Sequence, residues 1–249
     1  VGYSTIGQFE KSLEHYQHSE EIMGRIGDVR GMSMVLLNLG VLYDRMGRLD
    51  TSLEYYWRSL RIKSKIGDSV GVANIYNNIG SNYLDLERYE DALEHFRKNN
   101  SLMERAGDMW GIARSLNNMG EAEIALGRFT DAKEHCAEAL RLGEKHSLTD
   151  ITCYANILMG VIASHDGDYA LADGLLAKGL ELGRRTEDPF RVGMAHLCAA
   201  RSLAQRGMKQ DSIDRYSQAL KTFEESGMGV PARRVRTEML KIVESEAGR

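Results

Sequence analysis

Apolar residues recur along this chain at helical spacing, in short runs closed by glycine. Over residues 69–86, Val72, Tyr76, Ile79, Gly80 and Tyr83 share one stripe, and over 89–106 Tyr89, Ala92, Leu93, Phe96 and Leu102 do the same. The pattern predicts helix pairs near 29–46 and 49–66, 69–86 and 89–106, 109–126 and 129–146, 149–166 and 169–186, and 189–206 and 209–226. A helix near 10–26 precedes them and one near 231–246 follows. A single hairpin cannot bury both of its stripes, whereas stacked hairpins bury a continuous core. The fold class expected is therefore all-α, a solenoid of antiparallel helix hairpins.

The hairpins repeat in register. Asn77-Asn78-Ile79-Gly80 returns forty residues later as Asn117-Asn118-Met119-Gly120, and forty earlier as Leu37-Asn38-Leu39-Gly40. Further on the same step gives Ile157-Leu158-Met159-Gly160 and Leu197-Cys198-Ala199-Ala200, with nothing inserted or deleted. Gly7, Gly47, Gly127, Gly167 and Gly207 form a second series, broken by Glu87, and are expected at the turn inside each hairpin. Gly27-Asp28, Gly67-Asp68 and Gly107-Asp108 form a third, in which glycine ends one helix and aspartate caps the next. Gly31, Gly71 and Gly111 form a fourth. Gly80 and its equivalents lie inside helices, where glycine costs about 1 kcal/mol against alanine, and imply close approach of a neighbouring helix. Asp188-Pro189 starts a helix as N-cap and first helical residue, and Pro231 is expected to start the last one.

Composition narrows the function classes. The chain of 249 residues is 43% hydrophobic and 27% charged with a net charge of −4, enough apolar content for a core and no basic stripe for nucleic acid. No apolar run is long enough to span a bilayer and no signal peptide opens the sequence, so no membrane partner and a cytoplasmic location are expected. Cys136, Cys153 and Cys198 match no metal or redox spacing and read as small buried side chains. The chain begins at Val1 rather than methionine and partway through a repeat, the pattern expected of a piece of a longer protein.

The repeated residues resemble the tetratricopeptide pattern of a large residue, leucine-glycine, tyrosine, alanine, an aromatic and a second alanine. The third unit matches at Tyr76, Ile79-Gly80, Tyr83, Ala92 and Phe96, with Asn99 for the last alanine. The second matches at Leu36, Leu39-Gly40, Tyr43 and Tyr56, with Ser52 and Ser59 for the alanines. The fourth keeps Leu116, Gly120, Ala132 and Ala139 but carries Glu123 and Cys136, the fifth keeps Gly160, Ala172 and Leu176, and the sixth Leu203, Tyr216 and Ala219. A partial first unit begins at Tyr3 and continues through Ser12 and Tyr16. The forty-residue period and the missing internal prolines resemble the long-repeat branch of LGN/Pins-type scaffolds and bacterial signalling proteins. On this division residues 1–226 are the repeat array and 227–249 a capping or linker helix.

The resemblance implies a right-handed superhelix whose concave surface is lined by the first helix of each hairpin. On that surface Asn74, Asn77, Asn78 and Ser81 share one face at i, i+3, i+4, i+7, followed forty residues on by Arg114, Asn117, Asn118 and Glu121. Asn38 extends the row backwards, and Tyr154 and Arg201 occupy related positions later. Asparagine amides offer both a donor and an acceptor to an extended peptide, and Arg114 can grip a carboxylate with two parallel bonds. Asn38, Asn78 and Asn118 have a second reading, as amides that satisfy backbone groups between hairpins. Ile157, Leu158, Val161, Met194 and Leu197 are apolar at the corresponding positions, which gives either an apolar pocket or a surface covered by the last helix or a second subunit.

Nothing in the sequence supports catalysis, and no cofactor or metal is implied. His15, His95 and His135 share one repeat position on several stacked hairpins, and adjacent hairpins sit about 10 Å apart, too far to share one ion. His146, His165 and His196 lack a histidine or cysteine at i, i+4, and no nucleophile elbow or phosphate loop occurs. Arg233, Arg234, Arg236 and Lys241, with Glu238, Glu244 and Glu246, read as a solvated face or as a helix leading into a further domain. The function expected is a non-catalytic module that binds a protein or peptide partner in the groove. The alternative is a sensory or regulatory region of a larger signalling protein, such as a nucleotide cyclase, a transcription regulator or a signalling ATPase. Self-association through the later repeats is a further possibility.

Overall fold

The computed structural model describes residues 2–247, and the side chains of 2–8 and 245–247 lie outside that description. Expectations resting on Val1 or on the side chains of Tyr3 and Glu246 therefore lie outside the described residues. Twelve helices and no strand occur among them: α1 Gly2–Ile26, α2 Val29–Arg45, α3 Leu49–Lys65, α4 Ser69–Asp85, α5 Tyr89–Ala106, α6 Met109–Ala125, α7 Phe129–Lys145, α8 Thr149–His165, α9 Tyr169–Arg185, α10 Pro189–Gln205, α11 Lys209–Glu225 and α12 Gly229–Ala247. Each of α2 to α11 begins and ends within a residue of its predicted span. The all-α hairpin fold is the one the repeats predict.

Two ends differ. The register predicts a turn at Gly7, but α1 runs straight through it. One interior glycine costs about 1 kcal/mol, which the helical residues on both sides outweigh. The last helix starts at Gly229, two residues before Pro231. Proline is tolerated there because first-turn N–H groups have no helical acceptor.

The turns obey a finer rule than the glycine series shows. Every twentieth residue from Gly27 to Gly227 has φ between 52° and 81°, including Glu87, Ser147 and Glu187. Each is the left-handed residue of a Schellman turn. At Gly47, for example, its N–H donates to the Asp44 carbonyl and that of Arg48 to the Tyr43 carbonyl, at 2.7 and 2.9 Å. Asp28, Asp68 and Asp108 then cap the next helices by accepting from the N–H of Gly31, Gly71 and Gly111. Those three glycines have a steric reason. A Cβ on Gly71 would lie 2.2 Å from Asp68 Oδ2 and 2.7 Å from Lys63 Cδ, inside the cap itself. The Lys63 ammonium, at 2.6 Å, and the Gly71 N–H hold the Asp68 carboxyl below the usual range.

The chain divides into two compact units, one through Ala122 and one from Glu123 onward. Within the first, α1 to α5 pack as consecutive neighbours, and within the second α7 to α12 do so. In the first unit Leu53, Tyr56, Leu60, Ile75 and Ile79 form a buried cluster against which Val72, Tyr76 and Tyr83 pack. In the second, one cluster joins Cys136, Cys153, Ile157, Leu158 and Leu176, and another joins Leu197, Tyr216 and Phe223 to Val235 of α12. Burying each such side chain stabilises by roughly 1.5–3 kcal/mol. The mid-helix glycines mark close contacts, as predicted. A Cβ on Gly80 would lie 2.5 Å from the Phe96 ring, one on Gly40 2.5 Å from Tyr56, and one on Gly160 2.7 Å from Leu176.

Serine and asparagine at the alanine positions of the repeat are also accounted for. Ser52 and Ser212 donate to the carbonyls of Gly40 and Ala200, Ser59 to that of Ser33, and Asn99 to that of Ala73. Each small polar side chain ties the second helix of a hairpin to the first-helix backbone, which a buried alanine leaves untied.

Candidate partner-binding site

In the first unit the polar row of α4 is joined to that of α6. Asn74 Oδ1 accepts from Arg114 Nη2 at 3.1 Å, and Asn77 Oδ1 accepts from Asn118 Nδ2 at 2.8 Å. These bonds span 40 and 41 residues, so one repeat is stitched to the next along the same face. The Arg114 guanidinium also lies over the Trp110 ring, 4.4 Å from its centroid. It is thus held from two sides, which lowers the entropy cost of using it on a ligand. Ser81 donates to the Asn77 carbonyl at 3.1 Å. Asn38 is exposed, and Asn74, Asn78, Ser81, Arg114, Asn118 and Glu121 are half-buried, so this row meets solvent.

Two members of the row sit deeper. Asn77 is 8% exposed and Asn117 2%, and they stand behind the half-buried residues. Of the three amides with a second reading, Asn118 binds a neighbouring side chain and not a backbone group. Backbone carbonyls are instead bound by Asn82, Asn99 and Asn156, of which Asn99 stands at an alanine position of the repeat.

In the second unit the equivalent positions are closed. Tyr154 is 2% exposed and lies under the Arg191 guanidinium, 3.6 Å from its ring centroid. Ile157 and Leu158 are core residues, and Met194 and Leu197 belong to the cluster that includes α12. Arg201 is held by Glu238 of α12 through two bonds of 2.8 and 2.6 Å. Burial works against the Glu238 charge, but the Arg201 bonds and the nearby Arg234 hold its carboxyl below the usual range. Within this apolar stretch Ile157 and Leu158 are buried in a cluster without α12, Leu197 is buried in the cluster that includes it, and Val161 and Met194 are half-buried. The basic residues of α12 are partly engaged: Arg234 pairs with Glu238 at 3.4 Å and Arg236 with Glu224.

The histidines and cysteines have structural surroundings. His95 is buried against Trp57, Tyr76 and Tyr83, with ring centroids 5.3–5.8 Å away. His135 Nδ1 lies 2.7 Å from an oxygen of the buried Glu123. All three cysteines are buried. Burial pushes the Cys153 thiol up to about 11, and its sulfur donates to the Gly179 carbonyl at 3.2 Å. No helix among the described residues is long and apolar enough to cross a membrane.

Comparison with known proteins agrees with this architecture. Models of the tetratricopeptide repeat match residues 3–65, 31–98 and 112–147. No curated protein matches the sequence. Among solved structures, aspartyl phosphate phosphatase F from Bacillus subtilis is 17% identical, with 97% of this chain and 68% of that one covered and a TM-score of 0.71. A Rap protein complexed with Competence and Sporulation Factor is 19% identical, with 97% and 72% covered and a TM-score of 0.67. A signal transduction ATPase with a tetratricopeptide repeat sensor, from Pyrococcus horikoshii, is 14% identical, with 92% and 38% covered and a TM-score of 0.59. At these identities the likeness is one of fold. With those repeat models matched and its helices paired in consecutive hairpins, the chain belongs to the tetratricopeptide repeat family.

Proposed function

We propose that the protein is a non-catalytic interaction module that binds an extended peptide segment of a protein partner along the α4–α6 row. The observation that carries this reading is the continuous polar face built from Asn74, Asn78, Ser81, Arg114 and Asn118, with Arg114 already oriented by Asn74 and Trp110. Asparagines along a face can pair with both backbone groups of a peptide, and the fixed guanidinium selects a carboxylate, from an acidic side chain or a chain terminus. Asn38 and Glu121 extend the face at its two ends, and Asn77 and Asn117 support it from behind. Tyr154 and Arg201 are taken up by Arg191 and Glu238, so the binding row is proposed to lie in the first unit. The Rap protein complexed with a factor gives the reading a precedent on the same fold.

In this reading residues 1–226 are the binding array, α12 caps it, and the setting is cytoplasmic. Ile157, Leu158 and Leu197 are already buried within the chain, which leaves less apolar surface for self-association. A second reading, as the sensor region of a larger signalling protein, is favoured by the likeness to the repeat sensor of the signal transduction ATPase. The two are compatible, since occupancy of the row would be the signal.

A displayed library of random peptides tests the proposal. Selected binders are expected to share an acidic residue or a free C-terminus, and to lose about tenfold or more in affinity on Arg114→Ala, equivalent to about 1.4 kcal/mol. Binders indifferent to both Arg114→Ala and Asn78→Ala, with the variants folded by circular dichroism, would contradict it.

A further inference from the structure

The forty-residue register makes two grooves of this chain equivalent, position for position. In the first unit, the groove between α3 and α5 over α4 is filled by aromatic side chains. Trp57, Tyr76 and Tyr83 close around His95, with the Trp57 ring edge-on to the imidazole at 5.5 Å. Three repeats later, 120 residues on, the same groove runs between α9 and α11 over α10. There Trp57 becomes Ala177, Tyr76 becomes His196, Tyr83 becomes Leu203 and His95 becomes Arg215. The floor is trimmed as well, from Ile75 and Ile79 to Ala195 and Ala199. The outcome is a cleft of about 670 Å³ lined by these residues, with Leu176 and Leu180. That volume is within the range of ligand sites.

The polar groups of the cleft say what fits. His196 is buried and accepts at Nδ1 from Arg215 Nη1 at 3.3 Å, which puts the proton of the neutral imidazole on Nε2. On one rim Arg206 is engaged with Asp173 by two bonds of 2.9 and 3.1 Å, which matches that pair of charges internally. On the other rim Asp211 and Asp214 are exposed on α11. The cleft thus has an apolar floor shaped by missing aromatic rings, the bonded His196–Arg215 pair at its base and the Asp211 and Asp214 carboxylates at one edge. It lies on the side of α10 away from Arg201, so it is separate from the asparagine row and its equivalents.

We infer that the α9–α11 cleft is a second docking site, for a partner segment that inserts an aromatic side chain into the space that Trp57 and its neighbours fill in the first unit. A lysine or arginine beside that aromatic residue meets Asp211 and Asp214. The inserted ring packs on Leu176, Leu180 and Ala199, and the basic neighbour selects for sequence.

The test uses the whole chain and a fluorescein-labelled dodecapeptide with one Trp-Lys pair in an alanine-glutamine background. Binding is expected by anisotropy, with about tenfold loss when the pair is Ala-Lys and a smaller loss when it is Trp-Glu. Ala177→Trp returns the first unit's plug at an exposed position and is expected to abolish binding without lowering thermal stability. Asp211→Asn with Asp214→Asn is expected to weaken binding and flatten its salt dependence. Arg114→Ala is expected to leave this peptide's affinity unchanged, which separates the site from the asparagine row. No binding at millimolar peptide, or equal binding to the Ala177→Trp chain, overturns the proposal.

Discussion

Helices α4 and α8 occupy the same place in the repeat and do opposite things. On α4 the row at 74, 77, 78 and 81 is all polar, bonds to α6 and meets solvent at most positions. On α8 the matching residues are Tyr154, Ile157, Leu158 and Val161, and the first three are buried. The backbone is the same, down to the left-handed residue every twenty positions. The repeat frame therefore leaves this face uncommitted, and a few side chains decide whether it stays open to solvent or is closed into the core. In unit one most of it stays open, and in unit two it is closed.

The contrast can be broken most sharply by exchanging residues. Leu158→Asn places the first unit's amide in the second unit's core, and is expected to cost about 3 kcal/mol or more through lost packing and a buried amide. The reciprocal Asn78→Leu, on the half-buried row, is expected to shift stability by no more than about 0.5 kcal/mol. Urea unfolding followed by circular dichroism reads both, and equal effects would dissolve the contrast.

Acid sharpens it at another position. His196 stands where the first unit has Tyr76, and burial, together with the Arg215 and Arg184 charges, lowers its pKa to about 4. The unfolded chain protonates this imidazole near pH 6.5, so its contribution to stability is complete above that pH and declines as pH falls toward 4. The loss at the low end is at most about 3 kcal/mol. Comparing the chain with His196→Gln between pH 7 and pH 4 isolates this share. The pH dependence is expected to be shallower in the variant, although His95, whose pKa burial also lowers, keeps part of it in both.

Packing within the first unit comes next. Gly80→Ala drives a methyl group to 2.5 Å from the Phe96 ring and is expected to cost about 2 kcal/mol, despite alanine's better helix propensity. Phe96→Leu in the same chain is expected to recover part of it. The smallest effects lie at the turns. Glu87→Gly, Ser147→Gly and Glu187→Gly relieve side chains held at φ of 59°, 55° and 52°, and each is expected to gain about 0.5–1 kcal/mol by urea midpoint.

Most of the fold is legible in the sequence because the repeat is exact. Eight of the left-handed turn positions are glycine, and the Asp28, Asp68 and Asp108 caps are written beside theirs. What escapes the pattern is a turn whose residue is not glycine, as at Glu87, Ser147 and Glu187. There the flanking hairpins impose a backbone the residue itself does not prefer. For the candidate site, helical spacing places Asn74, Asn77, Asn78 and Ser81 on one face but gives no depth. Asn77 is buried because Asn118 of the next repeat reaches over to it. Likewise Arg201 looks available until α12 brings Glu238 to it. Both contacts join residues in different repeats, which the periodicity of one helix cannot report. The α9–α11 cleft depends on volume removed at several positions together, and becomes visible only when one groove is laid over another.

The chain has two tryptophans, and they stand in the two environments that matter: Trp110 beneath Arg114 on the asparagine row, and Trp57 in the filled groove between α3 and α5. Indole N–H resonances in a two-dimensional nitrogen–proton NMR spectrum separate them. On titration with a peptide selected by the library, the Trp110 signal is expected to move with occupancy while Trp57 stays in place, and Arg114→Ala is expected to suppress the movement. A peptide that binds with Trp110 unmoved, or with Trp57 moving in its stead, would contradict the assignment of the partner row to α4 and α6.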